Sequence, residues 1–356
     1  MASTTGGTAV AERPIDAWWL STPHAPRHAA VSDTLPAVRA AAYLHRIAGP
    51  AQGVLAGLPG AVTDMAVSRD GRHLVAAHFG ADAVSVIDVA TLTVTSTASE
   101  VAEPYALAAA DRVYVRSASI WEDSVVAIDL DSGFALAARE IGVGATGLAV
   151  SPDGDVLYVA RSADGVLDIA VIDVESGKVG TIPVTRAADA SIDTVRINPA
   201  GTRLYATLTT AAGGSLLVID VRSGRVQTVA VGDSIGDIAI HRDDRRVFAT
   251  GWDAELGGVL RIVDTASARV VHTIAVSGPP VVGVLAIGDG AYVAHGDEVV
   301  VVDTTTMQTV NRIDIGRPVS CLAVSRDSTL LYVGDFDGAV TAMAVQTAGQ
   351  GLRAAS

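Results

Sequence analysis

One short phrase, a β-branched run closed by aspartate, recurs along the whole chain and limits the folds open to it. It ends at Asp88, Asp129, Asp173, Asp220, Asp264 and Asp303, and Ala344 takes that place in a degenerate last copy. Successive copies lie 41, 44, 47, 44, 39 and 41 residues apart, close to the ~40–45 residues of one propeller blade. The cleanest copy, 147–184, reads as four strands. Apolar residues 148–151 precede the turn Pro152-Asp153-Gly154; 156–160, 168–172 and 178–184 follow, separated by loop or Asp/Gly turn signals. One such sheet cannot bury both of its faces, so neighbouring copies must cover it. The spacing therefore predicts an all-β fold, a seven-bladed β-propeller of four-stranded antiparallel blades over residues 51–345. Radial packing leaves only short, protected sheet edges.

The ends of the repeat region complement each other. The last copy stops near Val345 after three strands, while residues 52–58 occupy the place of a fourth strand with no blade before it. We expect this N-terminal strand to complete the sheet of residues 319–345 and close the ring. Residues 1–50 form an extension. Its first dozen residues are small and polar, Trp18 and Trp19 lie in an apolar stretch, and LPAVRAAAYLHRI (35–47) has the apolar spacing of a short amphipathic helix ended by Gly49-Pro50. The two tryptophans are expected either to pack on the propeller or to dock a partner. Residues 346–356 read as a C-terminal tail.

Composition narrows the function classes. Hydrophobic residues make up 49% of the 356 and aromatics 4%, so the blades must pack through small and β-branched side chains. The net charge of −14 and the lack of a basic run argue against nucleic acid and anionic lipid as direct partners. A single cysteine, Cys321, excludes an internal disulfide framework and a Cys-rich metal site, and its apolar strand makes it a small core residue. The N-terminus lacks the basic and apolar regions of an ordinary secretory signal. No window approaches 18 apolar residues, so no membrane insertion is expected. These features predict a soluble, cytoplasmic, monomeric protein without cofactor.

The marked residues divide into structural and functional candidates. The repeated aspartates precede Ser-Gly or Thr-rich turns and fit turn capping; none sits in the D-x-[DN]-x-[DN]-G spacing that gathers oxygens around calcium. No H-E-x-x-H pair or Walker loop occurs, and no metal site is expected. Aligned first strands give a row of small residues along the channel, Ala66, Ala108, Ala149, Ala239, Ala286 and Ala323, interrupted by Arg196. Asp64 and Asp237 lie two positions earlier in blades 1 and 5, on the same side of an alternating strand. Arg196 and Asp237 are expected to pair, or to form an anion or carboxylate site. His78 and His295 hold equivalent places in blades 1 and 6; with Asp335 of blade 7 they form a candidate acid/base or metal cluster at the channel mouth.

The loops between second and third strands set aromatic residues among carboxylates. Phe79, Trp121, Trp252 and Phe336 are the candidates for a partner-binding face there, since large aromatic anchors within a polar rim make interface hot spots.

Three runs carry a family resemblance: SRDGRHLVAAHFGADAVSVID (68–88), SPDGDVLYVARSADGVLDIAVID (151–173) and SRDSTLLYVGDFDGAVTAMA (325–344). They resemble the YVTN-type propeller repeat of bacteria and archaea, a WD40-like and lactonase-like architecture, over about four fifths of the chain. The resemblance implies the seven-bladed fold. For function it implies a range: surface proteins, binding modules, accessory subunits and, more distantly, lactonases. Together with the loop aromatics it leads us to expect a non-catalytic scaffold or accessory subunit with a protein partner, in a cell-envelope or membrane-associated complex. The alternative is a small-molecule-binding or lactonase-like hydrolytic propeller with its site at the channel mouth.

Overall fold

The computed structural model describes residues 51–118, 122–276 and 281–345. These form seven four-stranded antiparallel sheets. In blade 1 the strands are Asp64–Val67, His73–His78, Ala83–Asp88 and Thr93–Ser99, running from the channel outward. Inner strands pack on one another in blade order, and that of blade 7, Val319–Val324, packs against that of blade 1. Blade 7 is completed by Ala51–Ala56, paired antiparallel with Ala339–Ala344 so that Leu55 lies opposite Val340. The N-terminal strand thus supplies the closure read from the sequence, and the ring has no free sheet edge at its seam.

Alternation explains how the blades stack. In a strand successive side chains point to opposite faces, and both faces of a blade here are apolar. The core consequently divides into seven clusters, one in each seam between adjacent blades. A ring residue on the second strand recurs in them: Tyr114, Tyr158, Tyr205, Phe248, Tyr292 and Tyr332, each at most 3% exposed. Valine, alanine and leucine fill the remainder, as the low aromatic content requires.

The repeated aspartates cap the turns between third and fourth strands. Asp88 Oδ1 accepts both the N–H and the hydroxyl of Thr91; Asp129, Asp173, Asp220 and Asp264 do the same with Ser132, Ser176, Ser223 and Ser267. Asp303 accepts the N–H groups of Thr305 and Thr306. These bonds hold all six carboxyls below the ordinary aspartate range.

One expectation needs correction. Opposite the second-strand Tyr or Phe of the other blades stand Ala108, Ala149, Arg196, Ala239 and Ala323; opposite Tyr292 stands Leu285, because Ala286 pairs with Ala291. The first hairpin of blade 6 is short, and the inner strand carries an irregular register between Val281 and Gly283. Counting along the sequence slips there by one residue, which moves a side chain to the other face. Leu285, not Ala286, lines the channel.

Candidate functional site

The inner strand begins at the end of the molecule where the loops between second and third strands lie, because Asp64 pairs with Ala77, next to His78 at the end of the second strand. The channel mouth and the aromatic loops therefore share one face. A cavity of about 300 Å3 opens there, and a second of about 430 Å3 fills the channel toward the opposite end. Asp64, Leu148, Arg196, Leu285 and Leu322 line both and form the waist between them.

Charge is concentrated at this waist. Asp64 Oδ1 accepts the Met65 N–H at 2.8 Å, and its Oδ2 accepts the Leu107 N–H of blade 2 at 2.7 Å. Asp237 does the equivalent in blade 5: its Oδ2 accepts the Val284 N–H of blade 6 at 3.1 Å, while its Oδ1 meets Arg196 Nη2 at 3.2 Å. The sequence position two before the channel ring thus supplies a clamp between neighbouring inner strands. Asp64 sits deep enough in the channel that burial pushes its carboxyl up to about 6, against the pull of Arg196 and the two backbone N–H groups. The Arg196 side chain remains 42% exposed. Its other hydrogen bond, Nη1 to the Val195 carbonyl, is 3.3 Å long.

The proposed histidine cluster does not assemble. His78 is fully buried; its Nδ1 lies 3.0 Å from the Gly60 carbonyl and its Nε2 2.9 Å from Ser85 Oγ. Burial lowers its pKa. His295 is buried beside Glu298, 3.5 Å from Nδ1 to Oε1. Asp335 is buried too, with Oδ1 accepting the N–H groups of Asp337 and Ala339 and Oδ2 3.3 Å from Arg317. Each of the three ends a second strand; His78 and Asp335 are hydrogen-bonded within or beside their own blades, whereas neither ring nitrogen of His295 has a hydrogen-bond partner among the described residues. No hydrogen bond or ion pair joins one to another, and no group of three His, Cys, Asp or Glu suited to a metal occurs among the described residues. Cys321 is buried in the seam between blades 7 and 1, and burial pushes its thiol strongly up.

The aromatics read as loop residues lie on the surface, but Trp252 belongs to the second strand of blade 5, Arg246–Asp253, where it pairs with Gly258, and not to the loop after it. Phe79 is 38% exposed, Trp252 41% and Phe336 52%. Phe79 meets Tyr105 edge-on at 6.3 Å, and the Arg116 guanidinium lies 5.3 Å from the Tyr105 ring centre. Tyr105, half exposed at the cavity rim, was missed in the sequence because it belongs to a connection between blades rather than to a loop within one. Trp18, Trp19 and Trp121 lie outside the described residues.

Two strings at the mouth match enzyme motifs in spacing. Gly142-Val143-Gly144-Ala145-Thr146-Gly147 has the dinucleotide-binding pattern and Gly232-Asp233-Ser234-Ile235-Gly236 that of a nucleophile elbow. Both connect blades, and each leads into an inner strand instead of a helix, so neither has the context its chemistry needs. Their glycines answer to the backbone: Gly142 and Gly144 take φ of +82° and +80°, and a Cβ on Gly147 would meet the Val195 nitrogen of blade 4 at 2.9 Å. Ser234 Oγ accepts the Trp252 N–H at 2.7 Å.

No family model matches the chain. It is 30% identical over 324 residues to a seven-bladed β-propeller protein of Mycobacterium tuberculosis, covering 80% of this chain and 82% of that protein. Among solved structures it resembles a chain of hydrazine synthase from Kuenenia stuttgartiensis, with a TM-score of 0.70 and 20% identity over 85% of this chain and 99% of the other. At that identity the likeness is one of fold. No helix among the described residues is long and apolar enough to cross a membrane.

Proposed function

The chain belongs to the seven-bladed β-propeller proteins that include its mycobacterial relative, and on that premise we propose that it is a non-catalytic interaction scaffold or accessory subunit. Its partner is a protein that docks on the face carrying the channel mouth. The observation that carries this reading is the exposure of Phe79 and Phe336 on second-to-third-strand loops and of Trp252 near the end of a second strand, in three different blades, with Tyr105 beside Phe79. Exposed aromatic anchors on a closed, rigid ring supply contact area at little ordering cost. Acidic neighbours, Asp82 near Phe79 with Glu103 bonded to it through its N–H, Asp253 and Glu255 near Trp252, and Asp337 next to Phe336, suit a partner surface that is apolar at its centre and basic at its rim. A cell-envelope or membrane-associated setting and a cytoplasmic location both belong to this proposal; the first rests on the resemblance to YVTN-type repeats.

A hydrolytic centre at the mouth is the weaker reading. It would need His78, His295 and Asp335 to meet one reacting atom; His78 and Asp335 are hydrogen-bonded within or beside their own blades, and no hydrogen bond or ion pair joins His295 to either among the described residues.

The test is affinity purification of the tagged protein from its own cells after crosslinking, beside a Phe79→Ala/Trp252→Ala/Phe336→Ala variant shown to be folded by circular dichroism. The proposal expects a stoichiometric partner with the native protein and its loss with the variant. A partner retained by the variant, or no stoichiometric partner at all, overturns it.

A further inference from the structure

The mouth cavity holds a mixed set of hydrogen-bonding groups that the docking reading leaves unused. Arg196 commits two N–H groups, to Val195 and Asp237; of the five on a guanidinium, three have no partner among the described residues. Asp193, at the exposed edge of the same cavity, accepts Ser191 Oγ with Oδ2 at 3.0 Å and keeps Oδ1 unengaged. Asp64 and Asp237 are held rigid by backbone N–H groups of neighbouring blades, and each carboxylate oxygen retains acceptor capacity beyond one bond. Thr194 borders the same space.

The signs of these groups select the ligand. Three carboxylates and one guanidinium line the cavity, so an anion entering it meets net repulsion, while a cation drawn to the carboxylates leaves the donors of Arg196 unused. A neutral molecule that donates to the carboxylates and accepts from the guanidinium at once uses both sets of groups, and vicinal hydroxyls do this. Half-exposed Tyr105 adds an apolar ring at the rim on which a sugar's C–H face can rest. The cavity volume of about 300 Å3 is of the size that takes a small ligand. We propose that the channel mouth is a binding site for a neutral saccharide, with Arg196 and Asp193 bonding adjacent hydroxyls of one pyranose ring above the Asp64–Asp237 waist.

This proposal stands independently of the partner reading. It is tested by calorimetric titration of the full chain with three neutral probes, the methyl glycosides of glucose, mannose and galactose, and with glucuronate, glucosamine and alanine for comparison. The expected result is 1:1 binding of at least one methyl glycoside, weaker binding of the charged sugars, and about tenfold loss in each of Arg196→Gln and Asp193→Asn, the effect of one lost hydrogen bond. Asp193 is exposed, so its variant keeps the fold whatever becomes of the Arg196 variant. Failure of all three methyl glycosides, tighter binding of glucuronate, glucosamine or alanine, or unchanged glycoside affinity in Asp193→Asn would each overturn the proposal. Partner capture by the native protein is unaffected by any of these outcomes.

Discussion

Asp64 Oδ2 accepts the Leu107 N–H across the seam between blades 1 and 2 at 2.7 Å. The same staple recurs from Asp237 to Val284 between blades 5 and 6, and from Asp123 to Ala145 between blades 2 and 3 at 2.8 Å. Dispersion holds the seams together without direction, whereas these carboxylate bonds fix the offset of one blade on the next.

Removing a staple leaves a backbone donor without its partner. Asp64→Ala and Asp237→Ala should each lower stability by about 1–3 kcal/mol, read as a fall in the urea midpoint at unchanged m-value. In the Asp237 variant Arg196 loses its carboxylate too, so it should be the more costly of the two. Unchanged midpoints would show that the seams hold by apolar packing alone.

Asp64 also sets a pH dependence. Its folded pKa is raised to about 6 from the ordinary 3.8, so between these values the folded state holds a proton that the unfolded chain has released. Its contribution to stability must therefore fall as pH rises from about 4 to 6. Turn carboxyls such as Asp70, lowered by hydrogen bonds from Ser68 and Arg72, and Asp243, lowered by those from the Arg245 N–H, His241 and Arg246, act the opposite way at lower pH. Subtracting the pH profile of Asp64→Asn from that of the native protein isolates the term. A difference that grows with pH across that window would contradict it.

The fold was legible because its period is long, regular and tied to a turn that needs an aspartate; one repeat displays the arithmetic of all seven. The site was legible only where it shared that register. Arg196 stands out in an alanine row, and Asp64 and Asp237 follow from alternation. Ala286 was placed in the channel where Leu285 stands, since a shortened hairpin and an irregular strand start break the count, and Tyr105 was passed over because connections between blades vary in length. His78, His295 and Asp335 were grouped correctly by position, but topology places strand ends in separate blades, and a shared position in the repeat is not a shared point in space.

The closing strand should behave as core. Leu55 is 1% exposed and packs with Leu58, Val62, Met65 and Val340. Leu55→Ala in the full chain should cost about 2–5 kcal/mol, as for an interior leucine. Loss of less than about 0.5 kcal/mol, the surface value, would mean that the N-terminal strand is dispensable.

Exposed and buried aromatics of the same blade should separate cleanly. Phe248 is fully buried in the seam between blades 5 and 6, and Phe248→Ala should lose about 3–5 kcal/mol. Trp252, four residues on and 41% exposed, should lose within about 0.5 kcal/mol on truncation to alanine. A large thermal shift in Trp252→Ala would show that the ring covers its own blade and is not held out for a partner.

His78 offers the sharpest contrast between structural and chemical roles. The Gly60 carbonyl can only accept, so Nδ1 carries the proton, and Nε2 must then accept from the Ser85 hydroxyl. Both ring nitrogens are spent in holding the neutral imidazole, and burial lowers its pKa below 6.5. As pH falls below 6.5 the unfolded chain takes up a proton that folded His78 resists, so this term costs stability in acid, opposite in sign to that of Asp64. His78→Ala should lose about 1–3 kcal/mol near neutrality from the orphaned Ser85 and Gly60 groups, and the penalty should shrink between pH 6.5 and 5 as the native protein gives up its own advantage. Urea titrations of both proteins across that range measure it. A penalty that grew as pH fell would mean that His78 is protonated in the folded state and that the tautomer assigned from its two partners is wrong; one that stayed constant would mean that folding does not shift its pKa.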